Sequence, residues 1–277
     1  MCVMDSDGEG PADTPTFPIL GATKTGDLHA LRRAIAEGAD LNVEDEEDYT
    51  ALHWLCFYGP SDSKFGDPAV RDLVACISAL VAAGAEVNRI GGHADDYDDQ
   101  EPCTPLLDVI FELRGRRTKL RAVTTMLLRA GADVQTGTSD GLTPLHIAAI
   151  WGIWYNIPTL LAAGAEMDAM YLPIFGGTEL DDGSKRPKTP LDSAIRWVLA
   201  GREAPSRAFG PLLRAGARIP TDVDLPPYVE KVVNAGGYAR YERAHRTRLA
   251  AIFIPKLPIP AEVVHHIVSI WADCGGH

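Results

Sequence analysis

The chain has 277 residues, of which 46% are hydrophobic, so it can bury a sizeable core in one large domain or in an extended repeat array. Its 26 Lys and Arg against 38 Asp and Glu give a net charge of −12, which argues against a protein that binds nucleic acid by neutralising phosphates. The first ten residues lack the basic start and apolar segment of a signal peptide, and no stretch approaches 18 uninterrupted apolar residues. We therefore expect no membrane partner.

The five cysteines predict neither a disulfide framework nor a metal centre. They contain no C-x-x-C pair and no metal-ligand spacing, and they stand at Cys2, Cys56, Cys76, Cys103 and Cys274. This usage favours a reducing compartment, which we expect to be the cytoplasm or the nucleus.

Two short motifs alternate along the chain. One is Gly-Ala followed by an acid or Arg, and it starts at Gly38, Gly84, Gly131, Gly164 and Gly216. The other begins with Thr at positions Thr50, Thr104, Thr143 and Thr189, and reads Thr-Pro-Leu-His in its fullest form. Thr can cap a helix and Pro loses no hydrogen bond in the first helical turn, whereas Gly suits the left-handed position that ends a helix. The motifs therefore start and stop helices.

These residues resemble the ankyrin repeat, which has a period of 33 and a T-P-L-H-x-A signature. The resemblance implies an all-α solenoid of about five helix-turn-helix repeats, in which a loop called the finger links each repeat to the next. His53 and His146 are then expected to hydrogen-bond between repeats. Since the Gly spacings are 46, 47, 33 and 52 residues, we expect long inserted loops in several turns and fingers.

The organisation follows from the extent of the motifs. We expect a disordered acidic tail at residues 1–15, an ankyrin-repeat domain at residues 16–225 and a C-terminal helical cap at residues 226–277. Terminal repeats of such arrays depart from the consensus, which fits the lack of a Thr-Pro-Leu-His motif in the first repeat.

Acidic residues concentrate in the first two fingers. Residues 40–101 contain fifteen acids and three bases, and Tyr49 and Tyr97 interleave the acids of the two fingers. The candidate partner-binding residues are Asp45, Glu46, Glu47, Asp48, Tyr49, Asp95, Asp96, Tyr97, Asp98 and Asp99. One interpretation is a solvated surface, another is a docking rim for a basic protein, and a third is a calcium site at residues 95–99, which lacks the spaced ligand pattern of an EF-hand.

Aromatic residues recur at one position of the repeat. Tyr58, Glu112, Trp151 and Trp197 each lie eight residues after a motif Thr, and Trp54 lies close to the first of them. These aromatic side chains either pack beneath the inserted turns or form a ladder that holds an extended partner segment.

No catalytic signature accompanies the repeats. The sequence contains no G-x-S-x-G, P-loop, dinucleotide fingerprint, H-E-x-x-H or kinase motif. We expect a non-enzymatic scaffold without a cofactor, which binds a protein with a basic surface through its fingers and inner helices.

The C-terminal segment resembles a second family. Leu257, Pro258, Ile259 and Pro260, followed by an apolar helix, are similar to the cullin box of SOCS-box proteins, and Leu249 fits the preceding elongin-binding helix. Tyr241 and His245 depart from that pattern. The resemblance implies a substrate adaptor of a cullin-type ubiquitin ligase with elongin and cullin partners. The alternatives are a cap alone or an F-box-like segment.

Overall fold

The computed structural model describes residues 18–57, 70–92, 103–113, 115–172, 186–254 and 260–273. The expected acidic tail lies outside these ranges. The described helices are α1 Pro18–Thr25, α2 Leu28–Ala36, α3 Ala51–Phe57, α4 Val70–Ala83, α5 Pro105–Glu112, α6 Arg117–Arg129, α7 Pro144–Ile150, α8 Ile157–Ala162, α9 Pro190–Leu199, a 3₁₀ helix Ala204–Ala208, α10 Phe209–Ala215, α11 Pro227–Asn234, α12 Tyr238–Phe253 and α13 Ala261–Asp273. In place of strands, these ranges hold three isolated bridges, Glu44–Thr50, Gly91–Cys103 and Tyr171–Lys188.

The first ten α-helices form two stacked rows. The inner row consists of α1, α3, α5, α7 and α9, each in contact with the next, and the outer row consists of α2, α4, α6, α8 and α10. One core runs through the stack without a break from Ile19 in α1 to Val232 in α11. Because a single helix pair cannot bury its apolar face, each pair is stabilised by its neighbours.

Helix boundaries follow the two sequence motifs. Thr104 and Thr189 cap α5 and α9 by accepting hydrogen bonds from the backbone N–H three residues later, and Pro occupies the first turn of both helices. The five motif glycines all have positive φ, between 81° and 97°, at the ends of the outer helices. The predicted starts and stops are confirmed, because these positions need a capping hydroxyl and a residue without a Cβ, respectively.

The motif histidines link successive repeats. His53 Nε2 lies 2.9 Å from the carbonyl oxygen of Arg89, and His146 Nε2 lies 3.1 Å from that of Lys188. A carbonyl only accepts, so Nε2 carries the proton and Nδ1 accepts from the hydroxyl of Thr50 or Thr143, at 2.8 and 2.9 Å. Each ring therefore bridges its own helix start to the finger of the next repeat, as the motif predicts.

A second set of hydrogen bonds joins the fingers directly. The side chains at one finger position accept from a backbone N–H of the following finger: Asn42 from Glu86, Asn88 from Asp133, Gln135 from Glu166 and Asp168 from Arg218. These bonds measure 2.7 to 3.1 Å. The fingers consequently form one continuous edge along the array.

Three helices follow the stack. Tyr228 of α11 stacks on Phe209 of α10, and the ring of Tyr241 of α12 lies edge-on to Tyr228 at 5.5 Å. Helix α13 packs on α12, where Ala250, Val264 and Val268 are buried. Helices α11 and α12 thus cover the end of the repeat core, and α13 adds a further layer.

Among the described helices, none is both long enough and apolar enough to cross a membrane.

The histidine bridges predict a dependence of stability on pH. Burial lowers the pKa of both His53 and His146 to about 4, against 6.5 for an exposed ring, since a charged imidazole is poorly solvated there. The unfolded chain therefore binds more protons between pH 6.5 and 4, so stability falls as the pH falls through this window. At 1.36 kcal/mol per pKa unit, protonation of each ring lowers the free energy of unfolding by about 3 kcal/mol at the acid end of this window. Urea unfolding at pH 7, 5.5 and 4.5 measures this loss, and the double variant His53→Gln, His146→Gln should lose most of the slope. An unchanged slope in the variant would assign it to other groups.

Candidate partner-binding surface

Asp45 organises the first finger. Its Oδ1 accepts from the backbone N–H groups of Glu47 and Tyr49, at 3.2 and 2.9 Å, which closes the tip of the finger. Its Oδ2 accepts from Trp54 Nε1 in helix α3 at 2.5 Å and lies 3.3 Å from Lys24 Nζ in helix α1. Burial raises the pKa of this carboxyl, but these donors outweigh it and hold the pKa below its ordinary value.

Lys24 covers the indole ring that Asp45 holds. Its ammonium lies 4.1 Å from the centre of the Trp54 ring and 3.3 Å from Asp45 Oδ2, and its side chain stays 43% exposed. This places a cation against a ring face and a carboxylate at once. The arrangement fixes the angle at which the first finger leaves the inner helices.

Arg89 ties the first finger to the second. Its guanidinium donates to Glu44 Oε1 at 2.5 Å and to Glu86 Oε2 at 3.3 Å. The hydrogen bond from Arg89 lowers the pKa of Glu44, so that carboxyl remains ionised and paired. Three finger acids, Glu44, Asp45 and Glu86, are thus engaged within the chain.

Tyr49 lies beneath the fingers and is 8% exposed. Its ring stacks on Phe57 at 6.1 Å and lies 6.0 Å from His53. The next finger comes so close that a Cβ at Gly92 would stand 2.9 Å from the Tyr49 hydroxyl. Tyr49 accordingly packs between fingers one and two, under the acidic residues that neighbour it in sequence.

Three further acids, Glu46, Glu47 and Asp48, lie at the tip of the first finger. Glu46 and Glu47 are exposed, and Asp48 is half-buried in the left-handed conformation, with a φ of 58°. All three residues belong to the turn that Asp45 closes. They form the acidic tip, defined here as residues 46–48.

The aromatic residues separate by location. Trp54 lies half-buried beside Lys24. Trp151 and Trp197 form a separate pair, with their ring centres 6.5 Å apart, in which Trp151 is half-buried and Trp197 is 7% exposed. The 3₁₀ helix Ala204–Ala208 packs on α7 and α9, and a Cβ at Gly152 would overlap the carbonyl oxygen of Ala204. The inserted turn of the fifth repeat is thus built against the helices that carry this tryptophan pair.

Several predicted residues lie outside the described ranges. These are Tyr58, Asp95, Asp96, Tyr97, Asp98 and Asp99 of the repeats, and Leu257, Pro258 and Ile259 of the predicted adaptor box. Within the described ranges, Pro260 is exposed and Leu249 of α12 is half-buried. Within these ranges, no group of three or more His, Cys, Asp or Glu is placed to hold a metal ion.

Two features of this surface were not predicted from the sequence. Lys24, in the first helix of the array, lies against Asp45 and Trp54. In the fifth repeat Asp192 replaces the motif His and binds Arg196 at 2.8 Å, while Arg196 and Arg186 both contact Asp222 of the next finger. The aspartate in place of His was the available signal, since it removes the ring that bridges to the following finger.

Comparison with known proteins finds similarity to longer chains, while no family model matches. The putative palmitoyltransferase ZDHHC13 of Danio rerio is 26% identical over 192 residues, which cover 68% of this chain and 23% of that protein. The nuclear factor NF-kappa-B p105 subunit of Gallus gallus is 32% identical over 212 residues, covering 65% of this chain and 20% of that protein. Palmitoyltransferase Hip14 of Drosophila melanogaster is 28% identical over 135 residues, which cover 49% of this chain and 17% of that protein.

These relatives are ankyrin-repeat proteins, and the structure has the helix pairs and fingers expected of such repeats. The fold is an all-α ankyrin-repeat solenoid. The chain spans about a fifth to a quarter of the length of the first two relatives. The similarity to the palmitoyltransferases falls on their ankyrin regions, so it concerns the repeats and not the transferase activity of those proteins.

The finger geometry separates a structural acid from exposed ones. Asp45→Ala removes the acceptor for Trp54, Lys24 and two backbone N–H groups, so we expect it to lower the free energy of unfolding by about 1–2 kcal/mol. Glu46→Ala and Glu47→Ala, as matched controls one and two residues away, should change it by less than about 0.5 kcal/mol. Urea unfolding at pH 7 gives all three values. Equal losses in the three variants would contradict the role assigned to Asp45.

Proposed function

We propose that this protein is a non-enzymatic scaffold that binds a protein partner with a basic surface through its finger edge. The observation that carries the proposal is the acidic tip, where Glu46 and Glu47 are exposed and Asp48 is half-buried on a turn closed by Asp45. Asp95, Asp96, Asp98 and Asp99 lie outside the described residues and stay candidate partner-binding residues on the basis of the sequence.

Contacts within the chain hold this edge in place, so we expect binding to cost little conformational entropy. Asp45 and Arg89 anchor the first finger to α1, α3 and the second finger, and the side-chain hydrogen bonds between fingers continue along the array. A surface that is already in place before association loses little conformational entropy on binding. Electrostatic attraction then adds to the rate of encounter and to the choice of partner.

Trp54 and Lys24 give the surface its aromatic component. Trp54 is half-buried, and the cation resting on its ring comes from this chain. We propose that an incoming basic side chain binds beside this pair, against the acidic tip. Trp151 extends the proposed inner-helix contact, and the buried Trp197 supports it from below.

The test uses charge removal at constant shape. A labelled peptide of alternating Lys and Ala is titrated against the full chain and against the variant Glu46→Gln, Glu47→Gln, with Glu203→Gln, Glu230→Gln as a control that removes two exposed acids elsewhere. Because exposed ion pairs each contribute roughly 0.2–1 kcal/mol, we expect the tip variant to bind about three- to tenfold more weakly at low salt. The difference should shrink at physiological ionic strength. Equal affinity of the two variants would rule out the acidic tip as the site.

A second candidate function is supported by exposed apolar residues at the C-terminal end. Ile252 and Phe253 of α12 are 44% and 39% exposed, and Val263 and Ile267 of α13 are 43% and 47% exposed. We propose as the alternative that this face recruits elongin and cullin components, so that the repeats would choose a substrate for a ubiquitin ligase. In opposition to this alternative, Tyr241 and His245 of α12 stack on each other and Tyr241 packs against α11.

The alternative has its own test. Affinity purification with mass spectrometry compares the full chain with the variant Val263→Asp, Ile267→Asp, whose changes fall on exposed positions and should leave the helical circular dichroism spectrum unchanged. Elongin or cullin subunits recovered by the parent chain and lost with the variant would support an adaptor. Their absence from the parent chain would exclude it and leave the helices as a cap.

A further inference from the structure

The outer helices have a charge opposite to that of the finger edge. Helix α6 contains Arg117, Lys119, Arg121 and Arg129 and no acid. Helices α2 and α10 add Arg32, Arg33 and Arg214, again without an acid, and α8 has no charged residue. Helix α4 contains one residue of each sign, Arg71 and Asp72. Arg214 is paired with Glu242 at 2.7 Å, and Arg33 lies 4.0 Å from Glu37. In a chain of net charge −12, the outer row thus carries a basic face that is centred on α6.

An apolar groove lies in the middle of this basic face. It has a volume of about 380 Å³ and runs between α4 and α6, with Val74 and Val81 on one wall and Ala122, Thr125 and Met126 on the other. Ala122 is exposed, and the other four wall residues are half-buried. From Ala122 to Ala130 the groove is about 12 Å long, at 1.5 Å per helical residue, which corresponds to about two turns of a helix laid along it.

One cationic side chain, Arg129, lines the groove, and a half-buried one, Lys119, lies on the same helix stripe. Lys119, Ala122, Met126 and Arg129 lie three or four residues apart, so they share one stripe of α6. Arg129 lines the groove directly and is exposed, while Lys119 continues the stripe one turn beyond Ala122. Arg121, also exposed, stands on the neighbouring side of the helix. The groove therefore has an apolar floor with a cation at one end, and a second cation one turn beyond its other end on α6.

We propose that the groove between α4 and α6 binds an acidic amphipathic helix of a protein partner. Its apolar residues, at spacings of three or four, would cover Val74, Val81 and Met126, and its carboxylates would pair with Lys119 and Arg129. The apolar floor favours a helix stripe over a chain of phosphates, because phosphates offer nothing to Val or Met side chains. This surface is separate from the acidic finger edge and attracts a partner of the opposite charge.

The experiment uses the full chain and a labelled 16-residue probe peptide. The peptide has Leu at positions spaced by three and four and Glu at most others, and its binding is followed by fluorescence anisotropy. The variant Lys119→Glu, Arg129→Glu reverses the charge of both cations on the groove stripe of α6 and should weaken binding about tenfold or more. The variant Ala122→Gln, at an exposed position on the wall, places a polar side chain in the groove and should also weaken binding, by about threefold or more.

Two matched controls keep the result specific. Arg218→Glu, Arg202→Glu changes the net charge equally at exposed positions away from the groove and should leave the affinity within about twofold of the parent value. A second peptide, with every Leu replaced by Gln, should bind at least about tenfold more weakly than the first, since it lacks the apolar stripe. Thermal unfolding by circular dichroism establishes that each variant is folded.

Three outcomes would overturn the proposal. One is the absence of measurable binding of the Leu–Glu peptide to the parent chain. Another is equal weakening by the groove variant and the control variant, which would mean attraction by net charge alone. The third is tighter binding of a 20-base-pair DNA duplex or of phosphatidylserine vesicles than of the peptide. If that binding is weakened by Lys119→Glu, Arg129→Glu and not by Ala122→Gln, the basic face binds phosphates.

Discussion

The hydrogen bond from a motif histidine to the backbone of the next repeat is the interaction on which the array depends. His53 and His146 each accept from a threonine hydroxyl at their own helix start and donate to a carbonyl in the following finger. The ring must be neutral to do both, and burial ensures this by lowering its pKa. Because the acceptor belongs to the finger, the same bond that stacks the helices also sets where the finger edge lies.

The repeats that lack the histidine show how else neighbours are joined. In the fifth repeat Asp192 binds Arg196, and Arg196 reaches Asp222 of the next finger, so a pair of charges spans the gap that a ring spans elsewhere. In the third repeat Leu107 stands at the histidine position, and the next residue, Asp108, is a buried carboxyl whose pKa burial raises well above its ordinary value. Burial thus favours the neutral form of this carboxyl, because an unpaired charge in the core is costly. Neighbouring repeats are thus joined by different contacts, and the histidine hydrogen bonds occur in the second and fourth repeats.

Much of this fold could be predicted because its signals are local. A threonine cap, a proline in the first turn and a glycine with positive φ act within four residues, so sequence alone places the helix ends. The site could be predicted less well because its contacts are not local. Lys24 meets Asp45 and Trp54 only when the first two inner helices are stacked, and the packing of Tyr49 under the second finger depends on the close approach at Gly92. Sequence spacing likewise shows that Trp151 and Trp197 are equivalent, but their exposure is set by how the inserted turn after α9 folds back on α7.

The separation of charge follows from the same architecture. In a two-row solenoid the fingers project along one edge and the outer helices form another face, so residues that alternate in sequence are sorted into two surfaces. Acids concentrate in the first finger, where Asp45 and Asn42 also serve as acceptors for backbone N–H groups. Bases concentrate on α6 of the outer row, where long aliphatic stems can cover apolar side chains beside them. Each surface consequently repels what the other attracts. A basic partner at the fingers and an acidic helix at the outer groove could occupy the chain together, because neither would need the residues that hold the other.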